Sequence, residues 1–172
     1  EPTDFIQINA AVNAQMVAAA VELAEVRPSD RVLDLYCGLG NFSLPFARSG
    51  AEVLGVEGEA ALVARAVRNA AANGIENARF AAADLAEAGW GFYREHWDLV
   101  VLDPPRTGAA AAAAEIARLR PRRIVYVSCH PATLARDAKT LISAGFRLRA
   151  ARVLDMFPHT HHIEAMALFE RR

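Results

Sequence analysis

The side chain best suited to covalent chemistry in this sequence follows an apolar stretch. Cys129 lies in residues 125–137, Val-Tyr-Val-Ser-Cys-His-Pro-Ala-Thr-Leu-Ala-Arg-Asp, where a predicted strand passes into a predicted helix. Open α/β sheets expose reactive side chains at the carboxyl ends of their strands. A thiol placed there, close to helix amides and basic residues, loses its proton readily and becomes a nucleophile. The local pattern also fits an inert core residue, because free cysteine is among the most buried residue types.

A carboxylate occupies the last apolar segment of the chain. Glu164 lies early in residues 163–169, where an ionised group is costly unless it is paired or used. We therefore expect Glu164 to have a chemical role. His159, His161 and His162 come just before it, but neighbouring positions rarely aim three imidazoles at one ion. We expect loop histidines there and no metal site.

A glycine loop follows the first predicted strand. Residues 32–40 are Val-Leu-Asp-Leu-Tyr-Cys-Gly-Leu-Gly. Gly38 and Gly40 therefore stand where the strand turns toward a helix and a ligand can approach the backbone. The third glycine of the dinucleotide signature is replaced by Ser43, which disfavours a nicotinamide cofactor.

Two acidic residues extend this pattern. Glu57 ends the second predicted strand, downstream of Gly40, where a carboxylate accepts hydrogen bonds from ribose hydroxyls. Asp84 follows the third strand, where it either accepts the adenine amino group or is an exposed turn residue. With Asp34 and the glycines, these residues predict an adenosine-shaped slot without a phosphate cradle. S-adenosylmethionine is a ligand of that kind.

Residues 103–106, Asp-Pro-Pro-Arg, follow another apolar strand and are expected at the same open edge of the sheet. Proline fixes its own φ and keeps the preceding residue extended, so this loop is rigid. A rigid polar rim can hold a flat base or position a sulfonium methyl group. A purely structural loop is the alternative, and the motif alone does not identify the atom that is methylated.

Strand and helix alternate almost throughout, which predicts a parallel sheet covered on both faces. The last two strands follow each other without a helix, which predicts an antiparallel C-terminal hairpin at the sheet edge. The sequence therefore predicts an α/β, Rossmann-like methyltransferase fold with a seven-stranded, mostly parallel sheet. Strands are expected at 31–36, 51–56, 79–82, 98–102, 123–128, 146–154 and 163–169, and helices at 11–25, 42–48, 59–73, 132–144 and from 109 onward.

Composition narrows the class of protein. The 172 residues, 53% hydrophobic and 23% charged, predict one globular domain. No apolar run reaches the ~18 residues of a membrane span, and no secretory signal is evident. Two cysteines make no disulfide framework, so we expect a reducing cytoplasm. The net charge of −1 excludes bulk electrostatic binding of nucleic acid. Arginines do cluster locally, at 118–123 and 147–152. Because the net charge is close to zero, any RNA binding requires local contacts or another module.

These motifs together resemble the RNA 5-methyluridine methyltransferases, close to the bacterial 23S rRNA type. The similarity runs essentially end to end, and its most specific part is the Ser-Cys-x-Pro-x-Thr-Leu-x-Arg-Asp run. The matching segments are residues 4–9 (Asp-Phe-Ile-Gln-Ile-Asn), 34–42, 103–106, 127–137 and 155–160.

The resemblance implies roles for individual residues. Cys129 is implied as the nucleophile that adds to uracil C6, and Glu164 as the base that removes the C5 proton. The S-adenosylmethionine site is implied to include Gln7, Tyr36, Gly38, Asn41, Glu57, Asp84 and Asp103.

The resemblance also implies a partner and a domain organisation. The substrate is RNA, with rRNA favoured over tRNA, and neither a membrane nor a metal is expected in this segment. Full-length relatives carry an N-terminal OB-like domain and a central domain, with an iron–sulfur cluster in some members. Residues 1–172 are therefore expected to be the catalytic domain alone. The alternatives are a methyltransferase acting on an exocyclic amine or a small molecule, and a cofactor-binding domain inactive without its RNA-binding partner domains.

Overall fold

The computed structural model describes residues 10–87, 91, 95–155 and 163–171. Its helices are α1 (Ala10–Ala24), α2 (Ser43–Arg48), α3 (Ala60–Ala72), α4 (Ala110–Leu119) and α5 (Pro131–Ser143). Its strands are β1 (Arg31–Leu35), β2 (Glu52–Glu57), β3 (Ala78–Ala82), β4 (Leu99–Leu102), β5 (Arg123–Ser128), β6 (Phe146–Asp155) and β7 (Ile163–Arg171). Within this described part, no helix is long and apolar enough to cross a membrane.

The strands form one seven-stranded sheet in the order β3-β2-β1-β4-β5-β7-β6. The five strands from β3 to β5 pair in parallel, and β7 is antiparallel to both β5 and β6. This arrangement confirms the predicted mostly parallel sheet with its antiparallel C-terminal hairpin. Because β7 lies beside β5 and is antiparallel to it, the start of β7 lies at the same edge as the carboxyl end of β5.

Side chains of the central strands alternate between two cores, as the pleat of a strand requires. On β5, Ile124 and Tyr126 face the core covered by α4 and α5, whereas Val125 and Val127 face the core covered by α1 and α2. All four are fully buried. Burial on both faces explains the continuous apolar runs of the parallel strands.

The alanine-rich helix begins one residue later than the sequence suggests. Ala109 is the residue that caps α4, with φ −131°. An alanine side chain cannot accept a hydrogen bond from the first turn of the helix. The backbone N–H of Ala109 donates to the Asp137 carboxylate of α5, at 2.7 Å. The start of α4 is therefore fixed by a neighbouring helix, which a local pattern of alanines cannot predict.

Candidate active site

The carboxyl ends of the parallel strands bring the chemical groups together. Asp103 directly follows β4 and Cys129 directly follows β5. Ser128, the last residue of β5, pairs with Ala165 of β7, and the neighbouring residues Cys129 and Glu164 are close enough for the charge of Glu164 to act on the thiol. The sheet therefore places a thiol and a carboxylate side by side at this edge.

The Cys129 thiol is partly buried, and its surroundings oppose ionisation. Burial raises its pKa most, and the Glu164 and Asp103 carboxylates raise it further, while a hydrogen bond and the positive charge of Arg106 lower it. The expectation that this thiol ionises readily is therefore wrong for the ligand-free chain. Burial and two carboxylates outweigh the favourable effect of Arg106.

Glu164 is buried, and burial together with the charge of Asp103 raises its pKa to about 7, against the lowering effect of Arg106. Its Oε2 atom has no hydrogen-bond partner. Burial likewise raises the pKa of Asp103 to about 6. A carboxylate with a pKa near neutrality is suited to exchange protons at physiological pH.

The glycine loop closes onto the end of β2. The Gly38 N–H donates to Glu57 Oε2 at 3.1 Å, and the other oxygen of Glu57 accepts the Gly58 N–H at 2.8 Å. Gly40 has φ +90°, and Tyr36, which is not a glycine, has φ +61°. Left-handed backbone at a bulky residue is strained and persists at functional sites where the surroundings enforce it.

Asp34 lies beneath this loop and is completely buried. Ser43 donates a hydrogen bond to its Oδ2 atom at 2.5 Å, whereas Oδ1 has no partner. Burial raises the pKa of Asp34 to about 7, and the charges of Asp103 and Glu57 contribute to the rise. Ser43, which interrupts the dinucleotide signature, thus donates a hydrogen bond to a buried carboxyl group.

A cavity of about 380 Å³ opens at this edge, a size that suits a small-molecule ligand. It is lined by Tyr36, Glu57, Gly58, Asp84, Leu85, Ala86, Pro105, Thr107, Gly108, Ala109, Ala110, Ala111 and Arg136. Tyr36, Glu57 and Asp84 are among the residues predicted for the cofactor site, and the structure brings them together. The contribution of residues 107–111 and Arg136 was missed, because these alanines and the small residues before them carry no chemical pattern of their own.

The remaining predicted residues divide into two groups. The side chain of Asn41 exchanges two hydrogen bonds with that of Asn13, at 2.9 and 3.0 Å, which ties the glycine loop to α1. Gln7 and the three histidines lie outside the described residues. Among the residues that are described, no group of three or more His, Cys, Asp or Glu side chains could hold a metal ion.

The arginine clusters are held by carboxylates. Arg123 pairs with Glu25 and Glu170, both at 2.8 Å, and Arg149 also pairs with Glu170, at 2.9 Å. Arg152 pairs with Glu22 at 3.1 Å. These pairs link β5, β6 and β7 to one another and to the C-terminal end of α1.

Comparison with known proteins places this arrangement in a family. Residues 2–172 match the family model described as tRNA (uracil-5-)-methyltransferase. Two curated relatives, the 23S rRNA (uracil(1939)-C(5))-methyltransferases RlmD of Nitrosococcus oceani and Aeromonas hydrophila, are each 57% identical to the chain over 99% of its length. The chain spans 39% of the length of each of these relatives.

Two solved structures are similar to this chain. The Pyrococcus abyssi tRNA (uracil-54, C5)-methyltransferase, in complex with S-adenosyl-L-homocysteine, is 34% identical with a TM-score of 0.84, covering 98% of this chain and 41% of that one. A magnesium protoporphyrin IX methyltransferase from Synechocystis, 21% identical with a TM-score of 0.75, covers 99% of this chain and 88% of its own and shares the fold. The chain belongs to the tRNA (uracil-5-)-methyltransferase family.

Proposed function

We propose that this chain is the catalytic domain of an enzyme that methylates uridine at C5 in RNA, with S-adenosylmethionine as the methyl donor. The observation that carries the proposal is the proximity of Cys129 to Glu164, where β5 ends and β7 begins, so that the charge of Glu164 acts on the thiol. The similarity to two 23S rRNA methyltransferases at 57% identity favours rRNA over tRNA as the substrate. The proposed setting is a reducing cytoplasm, where Cys37 and Cys129 stay free thiols.

The lining of the cavity suits this cofactor. Glu57 and Asp84 offer carboxylate oxygens, and Tyr36 offers an aromatic surface. Such carboxylates accept hydrogen bonds from a ribose and from an adenine amino group. The orphaned Oδ1 of Asp34 adds an acidic group beneath the glycine loop, and Asp103 adds another at the end of β4. When bound, S-adenosylmethionine supplies a methyl group on a cationic sulfur, which carboxylates favour. In this proposal Gln7, Gly38 and Asn41 complete the site.

The residues of the chain then act in a defined order. C5 of uracil is a weak nucleophile, and addition of the Cys129 sulfur to C6 moves electron density onto C5 and the C4 carbonyl oxygen. After C5 has taken up the methyl group, Glu164 removes the C5 proton, the C5–C6 double bond reforms and the C6–S bond breaks. A general base of this kind contributes roughly 10²–10⁴-fold to the rate. The target uridine must leave its stack to reach Cys129.

The thiol proton must be lost before the first step. Cys129 is only partly buried, so water can accept the proton. Positive charge bound beside Glu164 and Asp103 would offset the two carboxylates that raise the pKa of the thiol. Ionisation of Cys129 is therefore expected to follow ligand binding.

The test uses RNA that contains 5-fluorouridine, incubated with the chain and S-adenosylmethionine and analysed by mass spectrometry of the intact protein. Fluorine replaces the proton that Glu164 must remove, so the wild-type chain should accumulate a methylated covalent adduct. Cys129→Ala should form none, and Cys37→Ala, which removes the other thiol, should still form it. Methylation of uridine by Cys129→Ala would overturn the covalent scheme.

Two further results separate the rival functions. With ordinary RNA, Glu164→Gln should form the methylated adduct and release it slowly. Transfer of methyl groups to a base amine without any adduct would instead favour an exocyclic amine as the acceptor. Binding of S-adenosylhomocysteine without turnover on rRNA fragments would show a cofactor-binding domain that needs further domains for activity.

A further inference from the structure

A buried carboxylate of α5 joins the two segments that meet at Cys129. Asp137 is 1% exposed. Its Oδ2 atom accepts hydrogen bonds from the Tyr126 hydroxyl of β5 and from the Ala109 N–H, both at 2.7 Å. Its Oδ1 atom accepts a hydrogen bond from Arg136 at 2.8 Å. Both oxygens are thus satisfied, as a buried charge requires.

The loop after β4 is closed tightly onto α5. Arg136, besides binding Asp137, donates to the Thr107 carbonyl oxygen at 3.0 Å. Gly108 has φ +79°, and a Cβ atom there would lie 2.5 Å from the Arg136 guanidinium and 2.8 Å from Asp137 Oδ2. The backbone approaches α5 so closely that only glycine fits.

The two residues of the Tyr126–Asp137 hydrogen bond lie on either side of Cys129 along the chain. Tyr126 belongs to the strand that ends just before Cys129, and Asp137 belongs to the helix that begins just after it. The loop that Asp137 holds also carries Arg106, whose side chain hydrogen-bonds with the Cys129 thiol. Asp137 therefore links the backbone that carries the sulfur to the backbone that carries its cationic partner.

We propose that Asp137 is a positioning residue that holds Arg106 against the sulfur of Cys129. The proposal rests on the proposed function of Cys129 as nucleophile. Of the charged groups that act on the thiol, Glu164 on β7 and Asp103 at the end of β4 are carboxylates, and Arg106 is the cation. A displaced loop would leave the carboxylates unopposed and make the thiolate harder to form.

The first test measures thiol ionisation directly, without RNA or cofactor. The rate of iodoacetamide alkylation at Cys129 is followed against pH by peptide mass spectrometry, with Cys37 as an internal reference. In Asp137→Asn we expect the midpoint for Cys129 to rise by about one pH unit, which lowers the thiolate fraction about tenfold at neutral pH. Tyr126→Phe, a milder change that removes one donor to Asp137, should raise it less and serves if the first variant folds poorly.

The control is Glu115→Gln, which alters another buried carboxylate that lies on α4 and pairs with Arg118 at 2.8 Å. Its Cys129 midpoint should equal that of the wild type. Arg106→Met should raise the midpoint as Asp137→Asn does, and the double variant should show no further rise, because both changes remove one contact.

Three results would overturn the proposal. The midpoint of Asp137→Asn could equal that of the wild type in a folded protein. The effects of Asp137→Asn and Arg106→Met could add in the double variant. Cys129 and Cys37 could both react faster in Asp137→Asn and Tyr126→Phe, which would show general loosening of the core. Because this test needs no RNA, the midpoint of Cys129 can be unchanged while the covalent adduct still forms, and it can rise where no adduct forms. Failure of this inference and failure of the proposed function are therefore told apart.

Discussion

Glu164→Gln should make the chain more stable at neutral and alkaline pH while impairing its proposed catalysis. The pKa of Glu164 is raised from 4.5 to about 7 by burial and by Asp103. Between pH 4.5 and about pH 7, Glu164 keeps its proton in the folded chain but has lost it in the unfolded chain. The contribution of Glu164 to the free energy of unfolding therefore falls as pH rises from about 4.5 to 7. Gln has no proton to lose, so the variant escapes this fall.

The size of the effect follows from the pKa difference. Each pKa unit corresponds to about 1.4 kcal/mol, so the full pKa difference gives about 3–4 kcal/mol. Water in the open crevice screens the charge, which reduces the expected gain to roughly 2 kcal/mol. The gain of the variant over the wild type should grow from pH 4.5 to 7 and stay constant above. Any cost of packing an amide adds an offset that does not vary with pH.

Urea unfolding of the wild type and Glu164→Gln at several pH values measures this difference in the free energy of unfolding. Glu22→Gln is the control, because a hydrogen bond and the charge of Arg152 lower the pKa of Glu22, so the pH-dependent part should have the opposite sign. A stability difference for Glu164→Gln that is the same at pH 4.5 and pH 8 would refute the assignment of Glu164 as a buried carboxyl with a raised pKa.

The remaining predictions concern the loop and the cavity. Gly108→Ala should lower the free energy of unfolding by roughly 2–4 kcal/mol, because it adds left-handed strain and a clash with Arg136. Gly74 has φ +65°, and a Cβ added there would meet no atom within 4 Å. Gly74→Ala should therefore lower the free energy of unfolding by only about 1–2 kcal/mol. Urea unfolding of both variants measures the two costs. Equal costs would contradict the close approach of the loop to α5. The preference for S-adenosylmethionine over S-adenosylhomocysteine, measured by calorimetry, should increase from pH 5.5 to 8, because Asp103, with a pKa of about 6, and Glu164 become charged. A preference that does not change with pH would show that these carboxylates do not act on the sulfonium.

The order of elements could be predicted because hydrophobic periodicity is set locally. The predicted strand at residues 123–128 coincides with β5 (Arg123–Ser128), and the missing helix between the last two strands correctly indicated the hairpin. The position of β7 between β5 and β6 was not specified by the pattern. That position matters for the proposed function, since it brings Glu164 close to Cys129.

The chemical state of the site could not be predicted from the same pattern. The sequence shows a thiol before a helix, but the pKa of Cys129 depends on Glu164, Asp103 and Arg106, which reach it from other segments of the chain. Asp137 could be recognised only as part of a motif. Its partner Ala109 lies 28 residues away and offers a backbone N–H, which no side-chain pattern marks.

The acidic groups of the crevice also decide which kind of cofactor it can accept. Burial raises the pKa values of Asp34 and Glu164 to about 7 and that of Asp103 to about 6, so this crevice disfavours negative charge. A pyrophosphate would add like charge to these carboxylates at a cost that rises as the dielectric falls. A sulfonium cation would supply the opposite charge, and would at the same time favour the thiolate of Cys129. The electrostatics of the crevice thus disfavour a dinucleotide on grounds independent of the missing third glycine, and in the proposed function they would join binding of the methyl donor to ionisation of Cys129.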